Sequence, residues 1–125
     1  MGVLVRQVKL AGDRGSAEVR ARFDSGASFA FLRRDVAERV VGLHRLPEPR
    51  RFGLGRVGAT LEVREFTAVT VELDGFWLIT EVLVAADLAE EFIIGARTMQ
   101  SWMMKLDFGK DRIEIDPEMK NLRLM

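Results

Sequence analysis

Hydrophobic and polar residues alternate between residues 17 and 23, with an apolar side chain at every odd position. A period of two places alternate side chains on one face of a strand, so this pattern predicts a half-buried β-strand. A second strand-like stretch covers residues 3–10, and the sequence Gly-Asp-Arg-Gly at 12–15 separates the two. Together these segments predict an N-terminal β-hairpin.

The hydrophobic period changes after this hairpin. The apolar run that resumes at residue 29 is followed by residues with the spacing of one helical face, namely Leu32, Val36, Val40 and Leu43. This spacing predicts a short helix over residues 33–41, with Asp35 and Arg39 placed for an i,i+4 ion pair. Gly42 is typical of a helix end. The two prolines within residues 46–49 predict an extended loop, because a proline disfavours helix in the residue before it.

The second half of the chain also has strand patterns. Residues 60–73 alternate, and Asp74-Gly75 is a strong hairpin signal before residues 76–85. Residues 76–85 are nearly all apolar, which predicts a strand that is covered on both faces.

Shorter segments complete the pattern. Residues 92–94 predict a brief buried strand, and residues 106–108 and 113–115 predict a closing hairpin. Helical spacing follows Gly95, at Met99, Trp102 and Met103. The count of about eight strands and two short helices predicts a mainly β fold with a closed or folded-over sheet.

Composition limits the function classes. A chain of 125 residues suits a single domain over residues 1–125, although the tail at 117–125 has no clear pattern and could be disordered. The absence of cysteine excludes disulfides and thiolate chemistry. Nineteen basic and nineteen acidic residues give no electrostatic signal for nucleic-acid binding. No signal peptide or membrane-spanning run is apparent, so we expect a cytoplasmic protein.

Few residues are candidates for other chemistry. The single histidine, His44, follows the predicted helix among apolar and basic neighbours, and a surface histidine is a better interpretation than a catalytic triad. Asp111, Glu114 and Asp116 are better interpreted as an exposed strand edge than as a metal site. We therefore expect neither a metal nor a cofactor.

The best candidate for chemistry is Asp24-Ser25-Gly26-Ala27, which directly follows the predicted strand at 17–23. A carboxylate at such a corner is held by a rigid sheet, and a following glycine lets backbone approach closely. The Ser25 hydroxyl can bond to neighbouring backbone and fix the corner. Asp-Ser-Gly is also ordinary turn chemistry, so the triplet alone carries little weight.

The order of segments adds specificity. Asp24-Ser25-Gly26-Ala27 is followed by a glycine-rich hairpin at 52–64, by two long strands, by Phe92-Ile93-Ile94-Gly95 and by a short helix. This order resembles the retropepsin family of aspartic peptidases, and the segments at 37–40 and 105–108 look like its cellular and bacterial branch. The resemblance runs from about Val3 to Asp116. It implies a single-lobe, retropepsin-like acid protease barrel.

The resemblance also implies a mechanism. The family uses two aspartates that share one proton around a water molecule: one acts as general base and the other donates to the scissile carbonyl. This chain has one Asp-Ser/Thr-Gly motif, so each chain would supply half of the pair. An isologous homodimer would bring Asp24 and its symmetry mate together. The expected activity is hydrolysis of peptide bonds in a peptide or protein substrate.

By the same resemblance, each site residue has an expected role. Asp24 is catalytic; Ser25, Gly26 and Ala27 form the active-site loop; Ile94 and Gly95 back that loop; and Ser28, Val57, Gly58 and Ile93 contact substrate. These mostly apolar surfaces favour apolar side chains beside the scissile bond. The hairpin at 52–64 would be the flap. It also spells Gly-x-Gly-x-x-Gly, but a dinucleotide site requires a helix directly after it.

Two positions depart from viral members of the family, which have an acidic residue after the loop alanine and an arginine after the apolar-apolar-glycine segment. Here the residues are Ser28 and Ala96. The paired loss favours a dimer that is stabilised differently. A catalytically silent module that keeps the fold for dimerisation or peptide binding is the alternative, because fold does not guarantee function.

Overall fold

The computed structural model describes residues 2–54 and 58–120. That part of the chain forms nine strands, two short α-helices and one 3-10 turn. The elements in order are β1 (Val3–Ala11), β2 (Ser16–Asp24), β3 (Phe31–Arg33), α1 (Arg34–Val40), β4 (His44–Gly53), β5 (Thr60–Leu73), β6 (Phe76–Ala85), β7 (Phe92–Ile94), α2 (Ala96–Ser101), β8 (Met104–Asp107), β9 (Arg112–Ile115) and the 3-10 turn (Pro117–Lys120).

Six strands close into a barrel. The strand order is β1-β2-β7-β3-β6-β5-β4, and β5 also pairs with β1, so β4 lies outside the ring. β7 lies between β2 and β3, parallel to β2 and antiparallel to β3. The prediction of a mainly β fold with a closed sheet and two short helices is confirmed.

The predicted N-terminal hairpin is confirmed, and its register places Val8 opposite Val19. Its turn packs against the end of α1, where the Val40 carbonyl accepts hydrogen bonds from the N–H groups of Arg14 and Gly15. A Cβ on Gly12 would lie 2.5 Å from that carbonyl oxygen. Glycine at this position therefore allows the turn and the helix end to meet.

Helix α1 buries Val36 and Val40 as its period predicts. The predicted Asp35–Arg39 pair is wrong, because Asp35 instead accepts from Arg33 at 2.7 Å. The helix ends without a left-handed glycine: Val41 is extended, and the Gly42 N–H donates to Asp13 at 2.8 Å. Gly42 thus contributes to the contact between the helix and the hairpin. It does not form the left-handed glycine stop that the sequence predicts.

Two predictions about the central strands are wrong. Residues 46–49 belong to β4, and its pairing with β5 shifts register between Arg45 and Arg50. The prolines fall at this irregularity because proline has no N–H to donate to a ladder. The second face of β6 is open from Trp77 to Glu81, where Trp77 and Ile79 are 60% and 52% exposed, and only the end of the strand is covered on both faces, by the smaller apolar cluster. The sequence of a strand does not encode whether another element covers its second face.

The C-terminal hairpin is confirmed as a separate two-stranded sheet, β8–β9. The Arg6 guanidinium joins it to the barrel, bonding to the Asp111 carbonyl and, at 3.2 Å, to its carboxylate. α2 is shorter than the predicted helical spacing, because Met103 lies beyond its end with φ 52° and is exposed. Residues 117–120 form the 3-10 turn, and the rest of the tail lies outside the described residues.

The buried side chains form two clusters. The larger one fills the barrel around Phe23 and Phe92, both fully buried, each of which contributes about 2–3 kcal/mol by burial. The smaller one joins β3 to the β4–β5 hairpin, and its buried members are Phe31, Leu61, Val63, Ala85 and Leu88. Within residues 2–54 and 58–120, no helix is long and apolar enough to cross a membrane.

Candidate active site

Asp24 is the last residue of β2, opposite Val3 of β1. The chain turns directly after it, and the Ala27 N–H donates to the Asp24 carbonyl at 3.1 Å. The Gly26 N–H donates to the Asp24 carboxylate at Oδ1, 2.9 Å away. The side chain of Asp24 is 17% exposed. The corner therefore presents a carboxylate with one oxygen held by backbone.

The two serines of the loop are exposed. The Ser25 hydroxyl makes no hydrogen bond with residues 2–54 or 58–120, so the expected bond that fixes the corner is absent there. The backbone N–H of Gly26 and the Asp24 carbonyl hold the turn instead.

Ile94 and Gly95 lie directly behind this loop. Ile94 pairs with Phe23 across the parallel β2–β7 ladder. A Cβ on Gly95 would lie 2.4 Å from the Phe29 carbonyl oxygen and 2.7 Å from that of Ala27. These distances leave no space for a side chain, so the loop rests on the bare backbone of Gly95.

Two hydrogen bonds continue the contact beyond Gly95. The Ala96 N–H donates to the Ala27 carbonyl at 2.7 Å, and the Arg97 N–H donates to the Ser28 carbonyl at 3.1 Å. These two hydrogen bonds join the backbone of the Asp24 loop to a segment that lies about 70 residues later in the sequence.

The glycine-rich hairpin is joined to the same region by aromatic contacts. Phe52 of β4 packs edge-on against Phe29 and Phe31, with centroid distances of 5.6 and 5.4 Å. Ile93, half-buried, packs against the smaller apolar cluster that these rings share. The base of the hairpin and the floor beside Asp24 therefore form one apolar unit.

Gly58 is exposed and has φ 78°, with no atom within 4 Å of an added Cβ. Val57 lies outside the described residues. The segment leads into β5 at Thr60, and not into the helix that a dinucleotide-binding loop requires. The glycines thus belong to a hairpin.

The positions that pair in viral proteases have another arrangement here. Ala96 and Ser28 make only the backbone contacts described above. The guanidinium of Arg97, one residue later, lies 4.8 Å from the centre of the Phe29 ring. Arg97 therefore makes a cation–π contact with Phe29 within the chain.

Arg22 is the residue near Asp24 that the sequence interpretation missed. Its Nε lies 3.4 Å from Oδ2 of Asp24, and its NH1 donates to Glu90 at 3.0 Å. The signal was present in the strand period, because residues 22 and 24 must share one face of β2. The expected substrate contacts included no charged side chain, and Arg22 adds a cation on this side of Asp24.

Other features lie away from this corner. A cavity of about 570 Å³ lies between β6 and α2, with Ile79, Glu81 and Trp102 in its wall, and Asp24 does not line it. His44 lies beside Phe66, with ring centroids 5.5 Å apart. Among residues 2–54 and 58–120, no three acidic or histidine side chains are grouped to hold a metal ion.

Solved structures with this fold include a retroviral protease-like domain and a viral protease. The retroviral protease-like domain of Ddi1 from Leishmania major has a TM-score of 0.65 and 23% identity, covering 93% of this chain and 91% of that one. EIAV protease, complexed with the inhibitor HBY-793, has a TM-score of 0.57 and 22% identity, covering 86% and 94%. No family model and no curated protein sequence matches the chain. The chain has the retropepsin-like fold, and at this identity the likeness shows the fold alone.

Proposed function

We propose that this chain is a homodimeric aspartic endopeptidase in which two Asp24 carboxylates activate a water molecule. One observation carries the proposal. The Asp24 carboxylate lies at a strand-to-loop corner where Gly26 holds Oδ1 at 2.9 Å and Gly95 backs the loop without space for a Cβ. An ordinary Asp-Ser-Gly turn needs neither the long-range backing nor the fold that surrounds it.

The proposed chemistry requires two copies of the chain related by a twofold axis, each of which supplies one Asp24 carboxylate. Two carboxylates within hydrogen-bond distance cannot both be ionised, so the pair shares one proton. The ionised member takes a proton from water as that water attacks the peptide carbonyl, and the protonated member donates to the carbonyl oxygen. The Gly26 N–H keeps each carboxylate oriented through these transfers.

The substrate would lie between the Asp24 floor and the glycine-rich hairpins of both chains. Hairpins that close over a peptide exclude water from the reaction and supply backbone groups for strand-like pairing. Within this proposal Ser28, Val57, Gly58 and Ile93 contact the substrate. We also propose that the chain belongs to the cellular and bacterial branch, on the sequence of the segments at 37–40 and 105–108.

The proposal is tested with an unbiased peptide library, by comparing the parent with Asp24→Asn. We expect the substitution to lower kcat/KM by about a thousandfold, the effect of losing the general base. Asp74→Asn is the matched control: Asp74 is exposed at the β5–β6 turn with φ 49°, a conformation that asparagine also adopts. Equal cleavage by the parent and Asp24→Asn would exclude this mechanism.

Sedimentation at micromolar concentration tests the dimer separately. A dimer with peptidase activity supports the proposal in full. An inactive chain between mildly acid and neutral pH would favour the silent module, as a peptide-binding module if it is a monomer and as a dimerisation module if it is a dimer.

A further inference from the structure

Beside Asp24 there is a second, polar cavity. It measures about 320 Å³ and is lined by Val5, Arg20, Arg22, Ala89, Glu90 and Glu91. Arg22 is its link to the candidate catalytic carboxylate, because its Nε lies 3.4 Å from Oδ2 of Asp24. The cavity thus adjoins the Asp24 carboxylate through Arg22, although Asp24 itself does not line it.

The two arginines of the cavity keep some of their donors free. Glu90 accepts from NH1 of Arg22 at 3.0 Å, and Glu91 accepts from the Arg20 backbone N–H at 2.9 Å. Among the described residues, the Arg22 Nε is buried and makes no hydrogen bond, and its one charged neighbour is Oδ2 of Asp24 at 3.4 Å. The Arg20 guanidinium is exposed and has neither a hydrogen bond nor an ion pair to the described residues. Guanidinium donors that are left free in this way favour a ligand that only accepts.

Solvent exposure of the Arg22–Glu90 ion pair favours the same ligand. The side chains of Arg22 and Glu90 are 39% and 35% exposed, so their ion pair is screened by solvent and contributes little stability. A carboxylate from a bound peptide can take the place of Glu90, whose side chain then turns to water. The guanidinium would hold the incoming carboxylate with two parallel N–H donors.

We propose that this cavity is a specificity subsite in which Arg22 binds an aspartate or glutamate side chain of the substrate directly beside the scissile bond. The inference rests on the proposed peptidase function and names its substrate class. It replaces the apolar preference that the sequence predicts at this position.

The test is the cleavage profile of the peptide library, read by mass spectrometry for the parent, Arg22→Leu, Arg22→Lys and Glu90→Gln. We expect the parent to cleave peptides with an acidic residue next to the scissile bond at least about tenfold faster than matched leucine peptides, the ratio that one charge-assisted hydrogen bond supplies. Arg22→Leu should abolish or reverse this ratio, while Arg22→Lys should keep part of it. Glu90→Gln should raise it, because the competing carboxylate is gone.

Arg112→Leu is the matched control, since Arg112 is exposed on β9 and pairs with Glu114. The profile of this variant should equal that of the parent. An unchanged profile in Arg22→Leu, or a preference for lysine or arginine beside the scissile bond, would overturn the subsite.

Failure of the subsite and failure of the peptidase function are distinguishable. Cleavage that depends on Asp24 but shows no acidic preference refutes the subsite only. If the parent cleaves nothing, fluorescence anisotropy is used to compare the affinities of a labelled glutamate peptide and its leucine counterpart for the parent and for Arg22→Leu. If the parent binds the glutamate peptide more tightly and Arg22→Leu loses this difference, the subsite is supported. Equal binding of the two peptides by the parent would refute it.

Discussion

The backbone of Gly95 touches the backbone of Phe29 so closely that a Cβ would lie 2.4 Å from the Phe29 carbonyl oxygen. Gly95→Ala should therefore push the Asp24 loop off its support and lower the free energy of unfolding by about 2–3 kcal/mol, the usual effect of overpacking. Urea denaturation measures this loss. Gly53→Ala is the control, because no atom lies within 4 Å of a Cβ there. Equal losses in both variants would contradict the backing contact.

Mixed dimers test whether the two Asp24 residues act as a pair. Equal amounts of parent and Asp24→Asn chains, refolded together, give parent homodimers as about one quarter of all dimers when pairing is random. We expect activity at about one quarter of that of the same total concentration of parent chains. Independent active sites would leave one half, so a rate assay separates the two models. Sedimentation of each chain alone checks that both dimerise equally.

A buried pair of hydroxyls, Thr80 and Thr98, 2.7 Å apart, joins β6 to α2. Thr80 also donates to the Glu81 carbonyl at 3.0 Å, so its oxygen accepts from Thr98. Thr80→Val leaves a buried donor on Thr98 unpaired and should cost about 1–3 kcal/mol of unfolding free energy. The double change, Thr80→Val with Thr98→Val, should cost less than the sum of the single changes in a double-mutant cycle by urea denaturation. Additive losses would rule out the coupling.

Phe52 connects the glycine-rich hairpin to the Asp24 loop through Phe29 and Phe31. Phe52→Ala should loosen the hairpin while β1 and β2 stay protected, since these strands pack around the other cluster. Hydrogen exchange reads the change at the Leu54 N–H, which bonds to the Ala59 carbonyl at 3.0 Å. Arg51→Ala is the control on an exposed neighbour. Unchanged exchange at Leu54 would show that Phe52 does not anchor the hairpin.

The Arg33–Asp35 pair makes a small, pH-dependent contribution. The hydrogen bond from Arg33 lowers the pKa of the Asp35 carboxyl below its ordinary value. A lowered folded-state pKa stabilises the fold above the ordinary pKa of aspartate, and this stability is lost as pH falls through the folded-state value. Asp35→Asn should therefore be slightly less stable than the parent near neutral pH and equal in strong acid. Thermal unfolding measured at several pH values tests the sign, and salt should shrink the difference because both groups are exposed.

Much of the fold could be predicted because its signals are local. The alternation at 17–23 and the Asp74-Gly75 turn specify strands and hairpins within a few residues, and both predictions are confirmed. Errors occurred where a side chain has more than one possible local partner, or where distant segments decide whether a face is covered. Asp35 pairs with Arg33 and not Arg39, and the second face of β6 stays open at Trp77.

The features of the candidate site also divide into those that local sequence specifies and those that depend on distant contacts. From the sequence, Asp24 lies at a strand end with Gly26 positioned to hold its carboxylate, because that contact spans two residues. Arg22 follows from the same strand period, yet its pairing with Glu90 depends on a loop 68 residues away. No local pattern contains such a contact.

The sequence by itself determined the half-buried strand that ends at Asp24 and the glycine after it, because strand period and turn chemistry act between neighbours. The family resemblance implied that Gly95 backs this corner, but only the tertiary structure decided that it does so without space for a Cβ and that Arg22 and Glu90 form the polar side of the corner. The physical reason is barrel closure: inserting β7 between β2 and β3 brings residues 90–97 against residues 22–29. This contact supports the proposed catalytic Asp24 and places the charged side chains of Arg22 and Glu90 in the proposed subsite.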